Sequence, residues 1–269
     1  MKISTQIWRC AREIDGQSGH LCHDGTVEAE VPLSGGRITQ GVVRVGDTVR
    51  RPASTASPFV TDLLGHLHDQ GFTGAPRHLG RDHAGRDILT YLPGHVPARF
   101  QPWTDQQIAA AGALLRALHD ATRGSTLAGT NPVVCHHDPG PNNTVFRDAL
   151  PAAFIDFDTA APGDPLEDLG YMAWTWCITS KPDAPPVDAQ AAQVRILADA
   201  YGLHAPVRSH LLDAILDRQT RNAHWWRTQL TAPGAPIATD QQINQRIAWS
   251  HREYAYTHAH RSDFASTLS

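Results

Sequence analysis

The sequence predicts an α+β protein, a small β-rich domain followed by a larger helical one. Three observations carry this. Val42-Val43-Arg44-Val45 and Thr48-Val49-Arg50-Arg51 are β-branched runs split by Gly46-Asp47, the pattern of a tight hairpin. The runs 77–82 and 87–92 read as strand, turn, strand and end in Pro93-Gly94, a strong pair of chain breakers. From Thr104 onward the apolar spacing is helical. Pro93-Gly94 therefore divides the chain into 1–93 and 94–269.

In chain order, residues 1–30 are polar and irregular, punctuated by Gly16, Gly19 and Gly25, and read as a helix or strand pair packed on the outside. The segment 33–41 is a glycine-bearing turn whose exposed N–H groups can cover phosphates. In 58–70, Phe59/Val60, Leu63/Leu64 and Leu67 line one helical face, with Gly71 as the stop. Thr104 opens the clearest helix, with Gln107 placed for a capping box and Ile108, Ala111, Leu114, Leu115 and Leu118 as its buried stripe. His119 near its end suits the helix C-terminal dipole. Further helices are expected over 171–177, 189–201, 207–226 and 240–264, with a Pro/Gly break at 233–236.

Bulk properties narrow the function. A net charge of −4 and a pI near 6.4 argue against a general nucleic-acid binder. No apolar run reaches the roughly 20 residues that span a bilayer, and the first ten residues lack a signal region, so a cytoplasmic location is expected. Cys10, Cys22, Cys135 and Cys177 are scattered and form no C-x-x-C pair, so neither a disulfide framework nor a zinc knuckle is indicated. His20, Cys22 and His23 cluster, but match no closed zinc pattern.

The chemistry concentrates in 133–170. Val133-Val134-Cys135 and Ala153-Phe154-Ile155 have the length and type of short buried strands. They lead into His136-His137-Asp138-Pro139-Gly140-Pro141-Asn142-Asn143 and Asp156-Phe157-Asp158, followed by Gly163-Asp164-Pro165-Leu166-Glu167-Asp168-Leu169-Gly170. A strand-loop-strand unit with these intervals brings Asp138, Asn143 and Asp156 to one end of a hairpin. These are hard oxygen donors of the kind Mg²⁺ accepts beside phosphates. Phosphoryl transfer needs a carboxylate near the attacking hydroxyl and oxygen ligands on the metal. Asp138 fits the first role, and Asn143 and Asp156 the second. Alone, the acids at 156–168 also fit a helix N-terminal cluster, and His136, His137 and Asp138 an isolated Zn²⁺ or Fe²⁺ site. The joint spacing favours the phosphoryl-transfer reading.

This stretch resembles the catalytic segment of the aminoglycoside phosphotransferase family, which includes choline-kinase-like small-molecule kinases. The carriers are His136-x-Asp138-x₄-Asn143, Ile155-Asp156 and Gly163-Asp164-Pro165-x-x-Asp168-Leu169. The resemblance implies a protein-kinase-like two-lobed fold, with a small β-rich N-lobe and a larger helical C-lobe. It implies ATP, or GTP in its place, with Mg²⁺, and a small-molecule hydroxyl acceptor. It makes Asp138 the catalytic base, Asn143 and Asp156 the metal ligands, His136 a structural holder of the loop, and Asp164 and Asp168 its braces. Gly35, Gly36 and Thr39 would lie over the phosphates, and Thr90-Tyr91-Leu92 beside adenine. Asp158 is open between a metal-side carboxylate and a surface acid. Arg51 stands where the family has its nucleotide Lys. No Glu lies near Val60 to pair with it, and Asp62 is the nearest acid. A non-catalytic nucleotide-binding protein is the alternative. The C-terminal surplus of Arg over acid favours a neutral or anionic substrate over a polycation.

Overall fold

The computed structural model describes residues 20–21, 27–33, 41–97, 101–232 and 237–269. Strands β1 (His20–Leu21) and β2 (Val27–Glu28) pair with each other. The main sheet comprises β3 (Val31–Pro32), β4 (Val43–Val45), β5 (Thr48–Arg51), β6 (His78–Arg81) and β7 (Asp87–Thr90). It is antiparallel, in the order β3-β4-β5-β7-β6. The hairpin between β4 and β5 pairs Val45 with Thr48 and turns through Gly46 at φ +54°, a conformation glycine adopts without a Cβ penalty. The phosphate-covering residues expected at Gly35, Gly36 and Thr39, and the break at 233–236, lie outside the described residues.

Helix α1 (Ser57–Asp69) crosses between β5 and β6 and buries Val60, Leu63, Leu64 and Leu67. It stops in a Schellman arrangement: Phe72 N–H donates to Leu67 O and Gly71 N–H to His68 O, both at 2.9 Å, with Gly71 at φ +76°. Its apolar stripe joins one core with Ile108, Leu115 and Leu118 of α2 (Asp105–Thr122). The sheet and the helices therefore share a hydrophobic anchor. The expected capping box is present on α2, with Thr104 accepting from Gln107 N–H and Gln107 returning the bond.

After β7 the chain passes Gly94 at φ +147° and makes a two-way backbone bridge between His95 and Phe146. A Cβ at Gly94 would sit 2.5 Å from the Phe146 carbonyl oxygen, so only glycine lets the linker press this closely on the helical part.

Four short strands lie among the helices. β8 (Val133–Cys135) pairs with β11 (Ala161–Gly163), and β9 (Thr144–Arg147) with β10 (Leu150–Phe154). The two apolar runs singled out in the sequence thus enter separate pairs that meet at the loops between them. Then follow α3 (Pro165–Met172), a π-helical turn (Ala173–Cys177), α4 (Val187–Tyr201), α5 (Ala205–Arg208), α6 (Leu211–Gln229), α7 (Asp240–Ala259) and α8 (Arg261–Leu268). The helix expected over 207–226 is broken at Ser209-His210, where Ser209 Oγ donates to Pro206 O. The one expected over 240–264 is broken at His260, whose ring bonds Asp263 at the start of α8. Both breaks use local side-chain bonds that apolar periodicity cannot reveal.

Helix α3 crosses α6 at Gly170, where a Cβ would stand 2.8 Å from the Ala214 carbonyl carbon and oxygen. Gly170→Ala is expected to lower the stability measured by urea denaturation by about 1–3 kcal/mol, through forced separation of the two helices. A loss below about 0.5 kcal/mol would show that the crossing can relax.

Candidate active site

The β9–β10 hairpin sets the centre. Its register pairs Thr144 with Phe154, and Ile155 N–H donates to Asn143 O at 2.9 Å. Asn143 and Asp156 therefore flank its open end. Asn143 Nδ2 donates to the Asp138 carboxylate at 2.7 Å and to the Asp138 carbonyl at 3.0 Å, clasping the loop from β8 onto the hairpin. Asp156 adopts left-handed φ/ψ of 66° and 61°, and His137 has φ +62°. Such backbone strain in non-glycine residues persists only where surrounding bonds enforce it.

For His137 those bonds come chiefly from Asp168 in the first turn of α3. Its carboxylate is fully buried and accepts from His136 N–H and His137 N–H, each at 2.7 Å, and contacts His119 Nε2 at 3.1 Å. The other His119 nitrogen meets the Tyr201 hydroxyl at 2.9 Å. Burial alone would raise the Asp168 carboxyl, but the His119 hydrogen bond and the nearby histidines outweigh it and hold the group below its ordinary range. His136 is buried too, with Nε2 3.1 Å from Ile155 O and its ring against Phe154 and Phe157.

His119, Cys135 and Asp168 lie close enough to suggest a metal cluster. Burial pushes the Cys135 thiol far up, and each of the three already has hydrogen-bond partners, so the group reads as a hydrogen-bonded brace.

Asp164, expected as a loop brace, accepts from Cys135 Sγ at its carbonyl, 3.2 Å away, at the strand end that leads into the loop. Its carboxylate caps α3 by accepting from Leu166 N–H at 2.8 Å, and Glu167 completes the box through Asp164 N–H. The carboxylate acts on the loop indirectly, by fixing the helix that carries Asp168.

Arg51 is buried at the end of β5 and pairs with Asp158, with a second contact of 3.4 Å to Asp156. The structure thus places its carboxylate partners after β10 rather than on α1. Asp158 is half-buried in this pair and is not a solvated surface acid. Burial and the Asp156 charge push its carboxyl up against the opposing pull of Arg51. Asp87, across the sheet from Arg51, is held instead by Ser57 Oγ at 2.6 Å and Arg81 at 3.0 Å.

A cavity of about 860 Å³ joins these groups. Val42, Val49, Leu89, Val145 and Ile155 give it an apolar slot, with Thr90-Tyr91-Leu92 on the same lining. Tyr91 is fixed by its N–H to Asp47 O at 2.8 Å and by Arg44 over its ring at 3.8 Å. Arg51, Asp138, Asn143 and Asp156 line the middle. Beyond them, Tyr171 and residues of α6 and α7 form the far wall. Burial pushes the Asp138 carboxyl up, opposed by a hydrogen bond from Tyr171 and the charges of His136 and Arg218.

Comparison with known proteins agrees with this architecture. Residues 124–210 match the Phosphotransferase enzyme family, APH. The chain is 30% identical over 262 residues to the trifolitoxin immunity protein of Rhizobium leguminosarum bv. trifolii, covering 89% of this chain and 99% of that protein. The chain belongs to the APH phosphotransferase family. Among solved structures, a choline/ethanolamine kinase family protein from Mesorhizobium loti superposes with a TM-score of 0.57 at 18% identity, covering 89% of this chain and 92% of that one. A spectinomycin phosphotransferase in complex with ADP and spectinomycin gives a TM-score of 0.56 at 12% identity, covering 90% and 92%. These likenesses carry the fold, which is kinase-like, with a β-rich N-terminal part and a helical C-terminal part.

In this APH-family chain Asp138, Asn143, Asp156, Arg51 and 90–92 share one cavity, whereas His136, Asp164 and Asp168 lie behind it. The far wall contains Tyr171, Arg218, Arg246 and three tryptophans, none of which carries a spacing motif. The one sequence signal that pointed there was the C-terminal surplus of arginine.

Asp168→Ala would strand two backbone N–H groups and a buried histidine, and should cost about 3 kcal/mol or more in chemical denaturation. Because the Asp168 carboxyl is held low, its stabilisation is full above its unfolded value of about 3.9 and is lost as pH falls through the folded value. The stability gap between the native chain and Asp168→Asn should narrow in denaturation series below about pH 4. A gap independent of acidification would contradict that linkage.

Proposed function

We propose that the chain transfers the γ-phosphoryl group of ATP, with Mg²⁺, to a hydroxyl of a small molecule. The observation that supports this most is the single cavity that joins an apolar slot, an oxygen-donor cluster and a separate far wall. In this reading residues 1–93 form the nucleotide lobe and 94–269 the catalytic and substrate lobe. Thr90-Tyr91-Leu92 lie beside the adenine, or guanine if GTP serves. Gly35, Gly36 and Thr39 cover the phosphates. Asn143 and Asp156 offer hard oxygens suited to Mg²⁺, which would neutralise phosphate charge.

Asp138 accepts the acceptor hydroxyl's proton as that oxygen bonds to the γ-phosphorus. The bond from phosphorus to the β,γ-bridging oxygen breaks, leaving ADP and a phosphate monoester. Asn143 orients the Asp138 carboxylate, and Tyr171 donates to it. Arg51 turns from Asp156 and Asp158 toward the phosphates when nucleotide enters, since its planar fork suits either oxyanion. Dependence on ATP fits a cytoplasmic enzyme, and no helix among the described residues is long and apolar enough to cross a membrane. The relative named for trifolitoxin immunity supports a toxin as acceptor, disarmed by phosphorylation.

A second reading, a nucleotide-binding protein without transfer, is favoured by the Arg51 pairing with Asp156, which engages a ligand the metal would use. An ADP-release assay with Mg²⁺ over hydroxylated metabolites and aminoglycosides separates the two. With an accepted substrate, Asp138→Ala should lower kcat by roughly 10²–10⁴-fold, and unchanged turnover would remove Asp138 from the role of base. ATP binding without ADP release across the panel would favour the second reading.

A further inference from the structure

The far wall of the cavity specifies a class of acceptor. Helices α6 and α7 contribute Arg218, Arg221 and Arg246 to the described lining and no carboxylate, and Glu167 of α3 lines the cavity beside them. Arg221 is already balanced, by Glu167 at 2.8 Å and Asp217 at 2.7 Å. Arg218 is not. Its Nη2 donates to the His137 carbonyl at 2.6 Å, its guanidinium lies 4.6 Å from the Tyr171 ring centre, and no carboxylate among the described residues is within ion-pair distance. Its Nε is buried with no hydrogen-bond partner, so protein groups do not use up the donors of this guanidinium. These contacts aim Arg218 at the loop that carries Asp138.

The rest of the wall is aromatic. The Arg246 guanidinium lies over the Trp226 ring at 4.3 Å, and Trp225 meets Trp226 edge-on at 4.6 Å. Trp249 stacks on buried Trp174 at 4.3 Å and also lines the cavity. Trp225 is 44% exposed, a large apolar surface beside cationic groups.

We propose that the acceptor is an organic oxyanion on a planar apolar body. Its carboxylate or phosphate ester sits on Arg218, its flat part rests against Trp225, Trp226 and Trp249, and its hydroxyl reaches Asp138. The proposal rests on the phosphoryl-transfer reading of the same cavity and sets the acceptor apart from polycations, which this wall repels.

Calorimetric binding to the full chain with three probes tests it: N-benzoyl-L-serine, its uncharged methyl ester, and kanamycin. The acid should bind about tenfold or more tighter than the ester, and kanamycin weakest. Arg218→Gln should erase the preference for the acid while retaining ATP binding and the thermal unfolding midpoint. The proposal is overturned if the ester or kanamycin binds as well as the acid, if none of the three binds at millimolar concentration, or if the Arg218→Gln variant, still folded, keeps the preference. Acid-selective binding without ADP release would sink the transfer reading alone. Kanamycin-dependent ADP release would sink the substrate class alone.

Discussion

The Asp168 carboxylate is the constraint from which the site follows. It sits in the first turn of α3, takes the N–H groups of His136 and His137, and ties His119 of α2 to the same point. A buried carboxylate with these partners is stabilised in its charged form only while all of them remain. Helix α3, helix α2 and the loop after β8 are thus held in one arrangement. That arrangement forces His137 into left-handed backbone, turns its carbonyl toward Arg218 and leaves Asp138 facing the cavity. The clasp from Asn143 to Asp138 fixes the other side of the loop. The geometry at the oxygen cluster is in this sense imposed from behind, by residues outside the cavity.

The same logic explains the unusual partner of Arg51. In a sheet where Asp87 is occupied by Ser57 and Arg81, the buried guanidinium needs another oxyanion, and Asp158 supplies it. Arg51 thereby connects the sheet to the segment that follows β10. Both carboxylates meet the same guanidinium nitrogen, Nη2, of Arg51.

How much of this was legible in the sequence depended on how locally it is encoded. The hairpin at Gly46-Asp47, the stripe of α1 and the Thr104 cap are short-range patterns, and each formed as expected. The interval from Asp138 through Asn143 to Asp156 was readable because hairpin register converts spacing into proximity. Asp164 fits both a loop brace and a helix cap by identity; its carboxylate accepts from Leu166 N–H and its carbonyl from Cys135 Sγ. His119 read as a C-terminal charge on α2, but its contacts with Tyr201 and Asp168 are long-range. The breaks at Ser209-His210 and His260 depend on side-chain bonds invisible to apolar spacing. The far wall was least legible: Tyr171, Arg218 and Arg246 come from three helices that meet only through tertiary packing.

Phosphoryl transfer requires that the cavity between the sheet and the helices hold a nucleoside triphosphate with its metal at Asn143 and Asp156. The most direct measurement is a calorimetric titration with the non-hydrolysable analogue AMP-PNP, with and without Mg²⁺, on the native chain and on Asp156→Asn. Saturable binding that Mg²⁺ strengthens in the native chain, with that strengthening lost in the variant, is the predicted result. Absence of nucleotide binding, or binding equally strengthened by Mg²⁺ in both proteins, would contradict it.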